Sequence, residues 1–260
     1  WVRFSAFSQY QTFYDYGYTA SDGILLQTTS GSGGALRVYI GGGGSANYLS
    51  DSSTPVINTW YHYAVVRSSG TVTIYRDGVS VGSKTLAADV NSPTYAVPTI
   101  GAKAHTSPSQ YELQGYMDEF RISKIARWTS NFTPPTGPYG VQPDLANISS
   151  NLALTGYLEA PNIIGKPDKY TKLLIHSDTT DGRGTFTDSS PSGHTLTAGG
   201  AVHHETDRSK FGASSIYFDG ADDYLKLAGA GTTDFDFGTG DFTIDWWVNF
   251  ETSRAYHLFC

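Results

Sequence analysis

Apolar residues in this chain recur mainly at every second position, the spacing of a strand with one buried face. The clearest run is Phe242-Thr-Ile-Asp-Trp-Trp-Val-Asn-Phe250. It puts Phe242, Ile244, Trp246 and Val248 on one face and Thr243, Asp245, Trp247 and Asn249 on the other. Further strands are predicted at 60–67, 71–76, 79–82, 99–101, 115–122, 171–176, 215–218 and 224–227. Between two of them Asp77-Gly78 predicts a tight hairpin, because a type I′ turn needs positive φ at both central residues. Short strands at this spacing predict an all-β fold, a sandwich of two antiparallel sheets.

The pattern decays after Thr133 into Pro-Pro-Thr-Gly-Pro and stays weak to about Lys169. Residues 141–169 read as a linker that proline keeps extended. A second regularity spans the chain: Trp1-Val2-Arg3-Phe4 is echoed 246 positions later by Trp247-Val248-Asn249-Phe250, with Tyr10 on Tyr256 and Phe13 on Phe259. The expectation is one period cut from a tandem array.

Composition agrees with strands and turns: 18 Tyr, 13 Phe and 29 Gly in 260 residues. A net charge of −7 without a Lys/Arg block argues against a nucleic-acid partner. No apolar run reaches the ~18 residues of a membrane span. The single cysteine, Cys260, excludes an internal disulfide and a cysteine metal site. No helix follows the glycines at 41–44, so they do not read as a phosphate cradle.

Gly115-Tyr-Met-Asp-Glu-Phe-Arg-Ile-Ser123, then Ala126-Arg-Trp128 and Phe132-Thr-Pro-Pro, resembles the C-terminal signature of concanavalin A-like, laminin-G-like jelly-roll domains. Trp60-Tyr-His-Tyr-Ala-Val-Val-Arg67 and the Tyr75-Arg-Asp-Gly78 hairpin resemble strands that precede it. Leu173-Leu-Ile-His-Ser-Asp178, Ile216-Tyr-Phe-Asp-Gly220 and Phe237 to Val248 resemble the family's N-terminal half. The resemblance implies that 1–140 is the C-terminal two-thirds of one such domain and 170–260 the N-terminal third of a second. Each piece alone would leave open edges and a bare core face. Completion by sequence outside the chain, by a neighbouring copy, or by closure of the two pieces on each other all remain open.

The resemblance also implies a structural Ca²⁺, held by Asp118 and Asp178 with backbone and water oxygens making up the six to eight that calcium takes. The competing reading pairs Asp118 or Glu119 with Arg121 or Arg127. Asp219, Asp222 and Asp223 around Gly220 read as a turn. Carbohydrate binding is the function that the family suggests. Phe7-Ser-Gln-Tyr10-Gln-Thr-Phe13-Tyr14-Asp-Tyr16-Gly-Tyr18 offers rings for stacking on sugars. Tyr10, Tyr14, Tyr16 and Tyr18 are the expected exposed ones, and Phe7 and Phe13 the core ones.

Catalysis is not expected. No strand carries alternating carboxylates of the Glu-x-Asp-x-Glu kind that glycosidases on this fold use. Strict alternation puts Asp118 and Glu119 on opposite faces. Asp181-Gly-Arg-Gly-Thr-Phe186 misses the sialidase Asp-box by one glycine position, and the seven histidines are scattered without a nucleophile motif. The resemblance extends to tail-fibre and adhesin chains. The expectation is a protein outside the cell or on a virion surface that binds glycans or a cell-surface receptor and adjoins further copies of the repeat. The alternative is a spacer that polymerises by completing its neighbour's sandwich.

Overall fold

The computed structural model describes residues 10–17, 23–29, 34–41, 47–51, 53–86, 88–91, 97–103, 111–139, 167–228 and 233–251. The Trp1–Phe4 echo, Tyr18, the glycines at 42–44 and the linker through 166 lie outside them. Among the described residues, fifteen strands form two antiparallel sheets. They are β1 (Thr12–Tyr16), β2 (Ile24–Thr28), β3 (Leu36–Ile40), β4 (Tyr48–Ser50), β5 (Trp60–Ser68), β6 (Thr71–Arg76), β7 (Val79–Thr85), β8 (Thr99–Ile100), β9 (Gln114–Ser123), β10 (Thr171–Ile175), β11 (Leu196–Gly199), β12 (His203–Glu205), β13 (Ser215–Asp219), β14 (Tyr224–Leu227) and β15 (Phe242–Phe250). One sheet runs β11-β14-β8-β1-β2-β3-β4. The other runs β12-β13-β9-β15-β5-β6-β7, with β10 also on β9. No helix among the described residues is long and apolar enough to cross a membrane.

The stretches before and after the linker share both sheets. β15 lies between β5 and β9, in register from Phe242↔Arg67 to Asn249↔Trp60 on one side and from Thr243↔Ser123 to Phe250↔Gly115 on the other. β13 and β10 take the opposite edge of β9, and β14 joins the other sheet through β8. Of the completions left open by the sequence, closure of the two pieces on each other is the arrangement in this chain. Each piece gives the other the partners that an exposed edge lacks.

The alternation read from β15 holds. Phe242, Ile244, Trp246, Val248 and Phe250 are fully buried in the core between the sheets. Trp246 packs against Phe13 at 5.0 Å, Tyr63 at 5.8 Å and Phe120 at 6.2 Å. The opposite face of β15 is covered too, by the strap of residues 124–139 that crosses the outside of β9, β15 and β5. Trp128 and Phe132 stack at 4.0 Å over a small second core of Ala64, Val66 and Tyr75.

In β1 the alternation fails. An extra residue at Phe13 breaks the register with β2, since Thr12 pairs Gln27 while Tyr14 pairs Leu26. This bulge shifts the phase, so that Tyr14 and Tyr16 face the core with Phe13 rather than solvent. Both are at most 1% exposed: Tyr14 packs on Phe120, and Tyr16 packs on Phe235 with its hydroxyl on Asp236. They are core residues and not sugar-stacking ones, which corrects the expectation. Tyr10 is half-buried, edge-on to Tyr111 at 5.1 Å.

The Asp77-Gly78 turn has φ of 49° and 77°, as the hairpin requires, and the strap docks on it. The Phe132 amide donates to the Gly78 carbonyl, and a Cβ on Gly78 would lie 1.8 Å from the Phe132 carbonyl oxygen. Gly70 has a similar φ of 79° but open space around it. Gly70→Ala should therefore cost only the left-handed strain of ~1 kcal/mol. Gly78→Ala should cost about 2–4 kcal/mol, because the strap must also move. Urea unfolding of the two variants checks this, and equal costs would show that the strap is not held at the turn.

Candidate functional site

The site grows from a second bulge. β9 pairs Arg121 with Asp245 and Asp118 with Trp247, leaving Glu119 and Phe120 opposite Trp246 alone. Glu119 takes φ of 54°, a conformation unusual for a residue with a side chain. The bulge falls where β10 ends and β13 begins on the other edge of β9. It turns both carboxylates toward that gap, against the opposite-face placement that strict alternation predicts.

Asp118 closes the gap on the β13 side. Its Oδ2 accepts the amides of Lys210 at 3.2 Å and Phe211 at 3.1 Å, and its Oδ1 accepts the Glu119 amide at 3.0 Å. Asp178, reaching from the residues after β10, holds the same turn by accepting the Ala213 amide at 2.8 Å. The two residues expected to share a calcium ion thus meet around one turn, as backbone anchors. Burial, and then Glu119, push the Asp118 carboxyl well above the usual carboxylate range, against the pull of its three amides. Calcium takes oxygens turned to the ion, and here three of the four acceptor sites of the buried Asp118 carboxylate are turned to N–H donors.

Glu119 faces the strap and β10. Its Oε2 accepts the Tyr139 amide at 2.6 Å, and its Oε1 lies 2.8 Å from His176 Nδ1. Tyr139 carries the chain inward: its hydroxyl donates to Asp245 Oδ2 and lies 3.1 Å from His62 Nε2. Arg121 grips Asp245 with two bonds of 3.0 and 2.9 Å while its guanidinium stacks 3.9 Å over the Tyr139 ring. Sequence reasoning offered Arg121 as a partner for Asp118 or Glu119. Its partner is Asp245, on the neighbouring strand.

Two adjoining clefts open beside this network. The larger, about 330 Å³, is lined by Glu119, Tyr139, Ser177, Phe211 and others. The smaller, about 270 Å³, is lined by Thr179, Arg183, Thr185, Thr187 and His204. His176, Asp178 and Ser189 line both. Of these residues the sequence singled out only Asp178 as a candidate ligand, although Glu119, His176, Ser177, Arg183 and Thr185 fall within the runs compared with known motifs. They come together because β10 and the loops around it fold onto β9 beside the bulge.

Ser177 Oγ lies 2.6 Å from His204 Nδ1, whose other nitrogen reaches the Thr185 carbonyl at 3.0 Å. That carbonyl fixes the tautomer in which Ser177 donates to Nδ1. Burial lowers the His204 pKa, which keeps the ring neutral. Ser177 is itself buried and also meets Ser214. The pair is a packed polar contact whose orienting group is a carbonyl in place of the carboxylate of a catalytic triad.

Asp219, Asp222 and Asp223 gather their carboxylate oxygens within 4.8 Å. Asp219 Oδ1 accepts the Ala221 amide, and Asp223 accepts those of Ala201 and Asp219. These are turn bonds around Gly220, which has φ of 77°. Asp222 and one oxygen of Asp219 are left for a cation.

A family model described as the concanavalin A-like lectin/glucanases superfamily, of laminin-G type, matches residues 1–130. No curated protein and no solved structure gives a match.

Asp245 sets the acid limit of the site. Burial raises its carboxyl, but the Arg121 charge, then His62 and the bidentate bonds, outweigh burial and hold it at about 2. An acid depressed below its unfolded value of ~3.9 stabilises the fold above that pH and loses the contribution as pH falls toward 2. Asp245→Asn should cost about 3–5 kcal/mol at pH 7, since it strands Arg121. The gap to the unsubstituted protein should narrow between pH 4 and 2. Denaturant unfolding across that range checks it, and a constant gap would mean that Asp245 carries no buried charge.

Proposed function

We propose that this chain, which belongs to the concanavalin A-like lectin/glucanases superfamily, binds carbohydrate in the paired clefts around His176, Asp178 and Ser189. The superfamily's description names both lectins and glucanases. Fold alone does not select a ligand, so the reading rests on what lines the clefts.

The observation that carries it is the lining itself. Thr179, Thr185, Thr187 and Ser189 offer hydroxyls, and the Asp178 carboxylate and Arg183 guanidinium flank them. Phe211 and Tyr139 give the neighbouring cleft an apolar wall. A sugar presents hydroxyls that both donate and accept, beside C–H faces that favour aromatic surface. A cleft with a few convergent polar groups and an apolar wall is the general form of a small-ligand site. Arg183 and Ser189 are exposed and hold no turn together through their side chains, so they are free to meet a ligand.

Calcium is not required in this reading. Asp118 is committed to backbone amides, and Asp178 gives one oxygen to the same turn. Among the described residues the Asp219–Asp222–Asp223 turn is a further acidic cluster, and it is absent from the lining of both clefts. In the wider setting that we propose, the chain works outside the cell or on a virion surface. The 246-residue echo points to several copies, and tethered weak sites gain by avidity.

A glycan array probed with the unsubstituted protein, Arg183→Ala and Ser189→Ala tests this. The expected result is binding that EDTA leaves unchanged and that each substitution weakens by about tenfold, the worth of one or two hydrogen bonds. The melting temperature should not move. No binding to any glycan by an intact fold would overturn the proposal in favour of a spacer. Loss of binding in EDTA would move attention to the acidic turn.

A further inference from the structure

The division of the sandwich between two stretches of chain has a consequence for copies of this protein. β15 and its neighbours meet the 10–139 stretch through strand register, side chains and a few backbone bonds between loops, such as the pair joining Val90 and Gly238. Asp245 takes Arg121 and Tyr139, and Thr243 Oγ1 accepts the Arg127 amide. Arg127 also grips Asp168 and Thr171. Each of these contacts would be the same if the two stretches came from different molecules. The covalent link between them is residues 140–166, which can span up to ~90 Å at ~3.3 Å per residue. Yet its two ends, Tyr139 and Pro167, line one cleft. The link is far longer than closure within one chain needs.

The opposite junction is short. Leaving β15, the Glu251 amide donates to the Gln114 carbonyl at 3.5 Å. Entering β1, Gln11 accepts the Gln114 amide through its Oε1 at 3.1 Å. The exit of β15 and the entry to β1 therefore flank one residue, and Phe250 and Phe13 pack at 5.9 Å. By the echo, residue 251 corresponds to residue 5, so in a repeated chain only a few residues would carry β15 into the next β1. A short connection between adjacent points closes at lower entropic cost than a long one.

We infer that residues 167–251 form an exchangeable part of the sandwich, which pairs with residues 10–139 of a second copy of this chain through the same register. Exchange links copies without any new surface, because it reuses the contacts already described. In solution the tether favours closure within one molecule up to about millimolar concentrations. In a head-to-tail array the short junction favours assembly across the boundary between copies. This inference does not depend on the carbohydrate reading.

Tyr116 and Tyr217 report on it, since they face each other across β9 and β13 with ring centroids 5.2 Å apart. In a Cys260→Ser background, Tyr116→Cys and Tyr217→Cys are made in separate chains, mixed in denaturant and refolded at ~1 mM. The double variant in one chain is the reference for folding and for disulfide closure. The expected result is a disulfide-linked dimer from the mixture, with a yield that rises with concentration, and a closed monomer from the dilute double variant. A mixture that stays monomeric at every concentration, while the double variant closes, would overturn exchange. Failure of the double variant to close would overturn the register on which exchange depends.

Discussion

The insertion of β15 between β5 and β9 is the constraint on which the rest of the structure depends. One face of this strand carries Trp246 and its apolar neighbours into the core, and the other presents Asp245 to Arg121, Tyr139 and His62. A carboxylate buried this deeply is tolerable only with its charge met, and Arg121 meets it with two bonds. The same pair fixes the strap, because Tyr139 lies under the Arg121 guanidinium and donates to Asp245. Core, strap and strand order are thus tied at one point.

The candidate site follows from that arrangement. With β15 holding one side of β9, the other side is shared between β10 and β13, and the Asp118–Glu119 bulge fills the joint between them. Asp118 anchors the turn before β13, while Glu119 links the strap to His176. The clefts are the space left between the strap, the residues after β10 and that turn. Asp118, which the family resemblance offered for calcium beside Asp178, and its neighbour Glu119 hold the walls of the candidate clefts.

Much of the fold was legible in the sequence, and the exceptions share one cause. Period-two alternation located β5, β6, β9, β14 and β15, and the faces of β15 came out as read. Alternation fails wherever a bulge adds a residue. At Phe13 a bulge turned Tyr14 and Tyr16 from expected ligand-stacking residues into core, and at Glu119 a bulge brought two carboxylates to one joint. Nothing in the local sequence marks either bulge, since neither has a glycine at its turning point. β2 escaped notice because Ile24-Leu-Leu-Gln-Thr28 is buried on both faces, which weakens the period-two signal; β3 was passed over although Leu36, Val38 and Ile40 alternate with Arg37 and Tyr39. The cleft residues were illegible for another reason: Arg183, Ser189 and His204 are ordinary loop and edge residues until long-range pairing gathers them.

Native-state amide hydrogen exchange of β15 tests the central claim most directly. If this strand is the shared middle of one cooperative sandwich, the amides of residues 243–249 exchange only through global unfolding, with the same opening free energy as the central amides of β5 and β9. Opening of residues 167–251 at a clearly lower free energy, with β5 and β9 still protected, would contradict it, because the two stretches would then be separate units that merely touch.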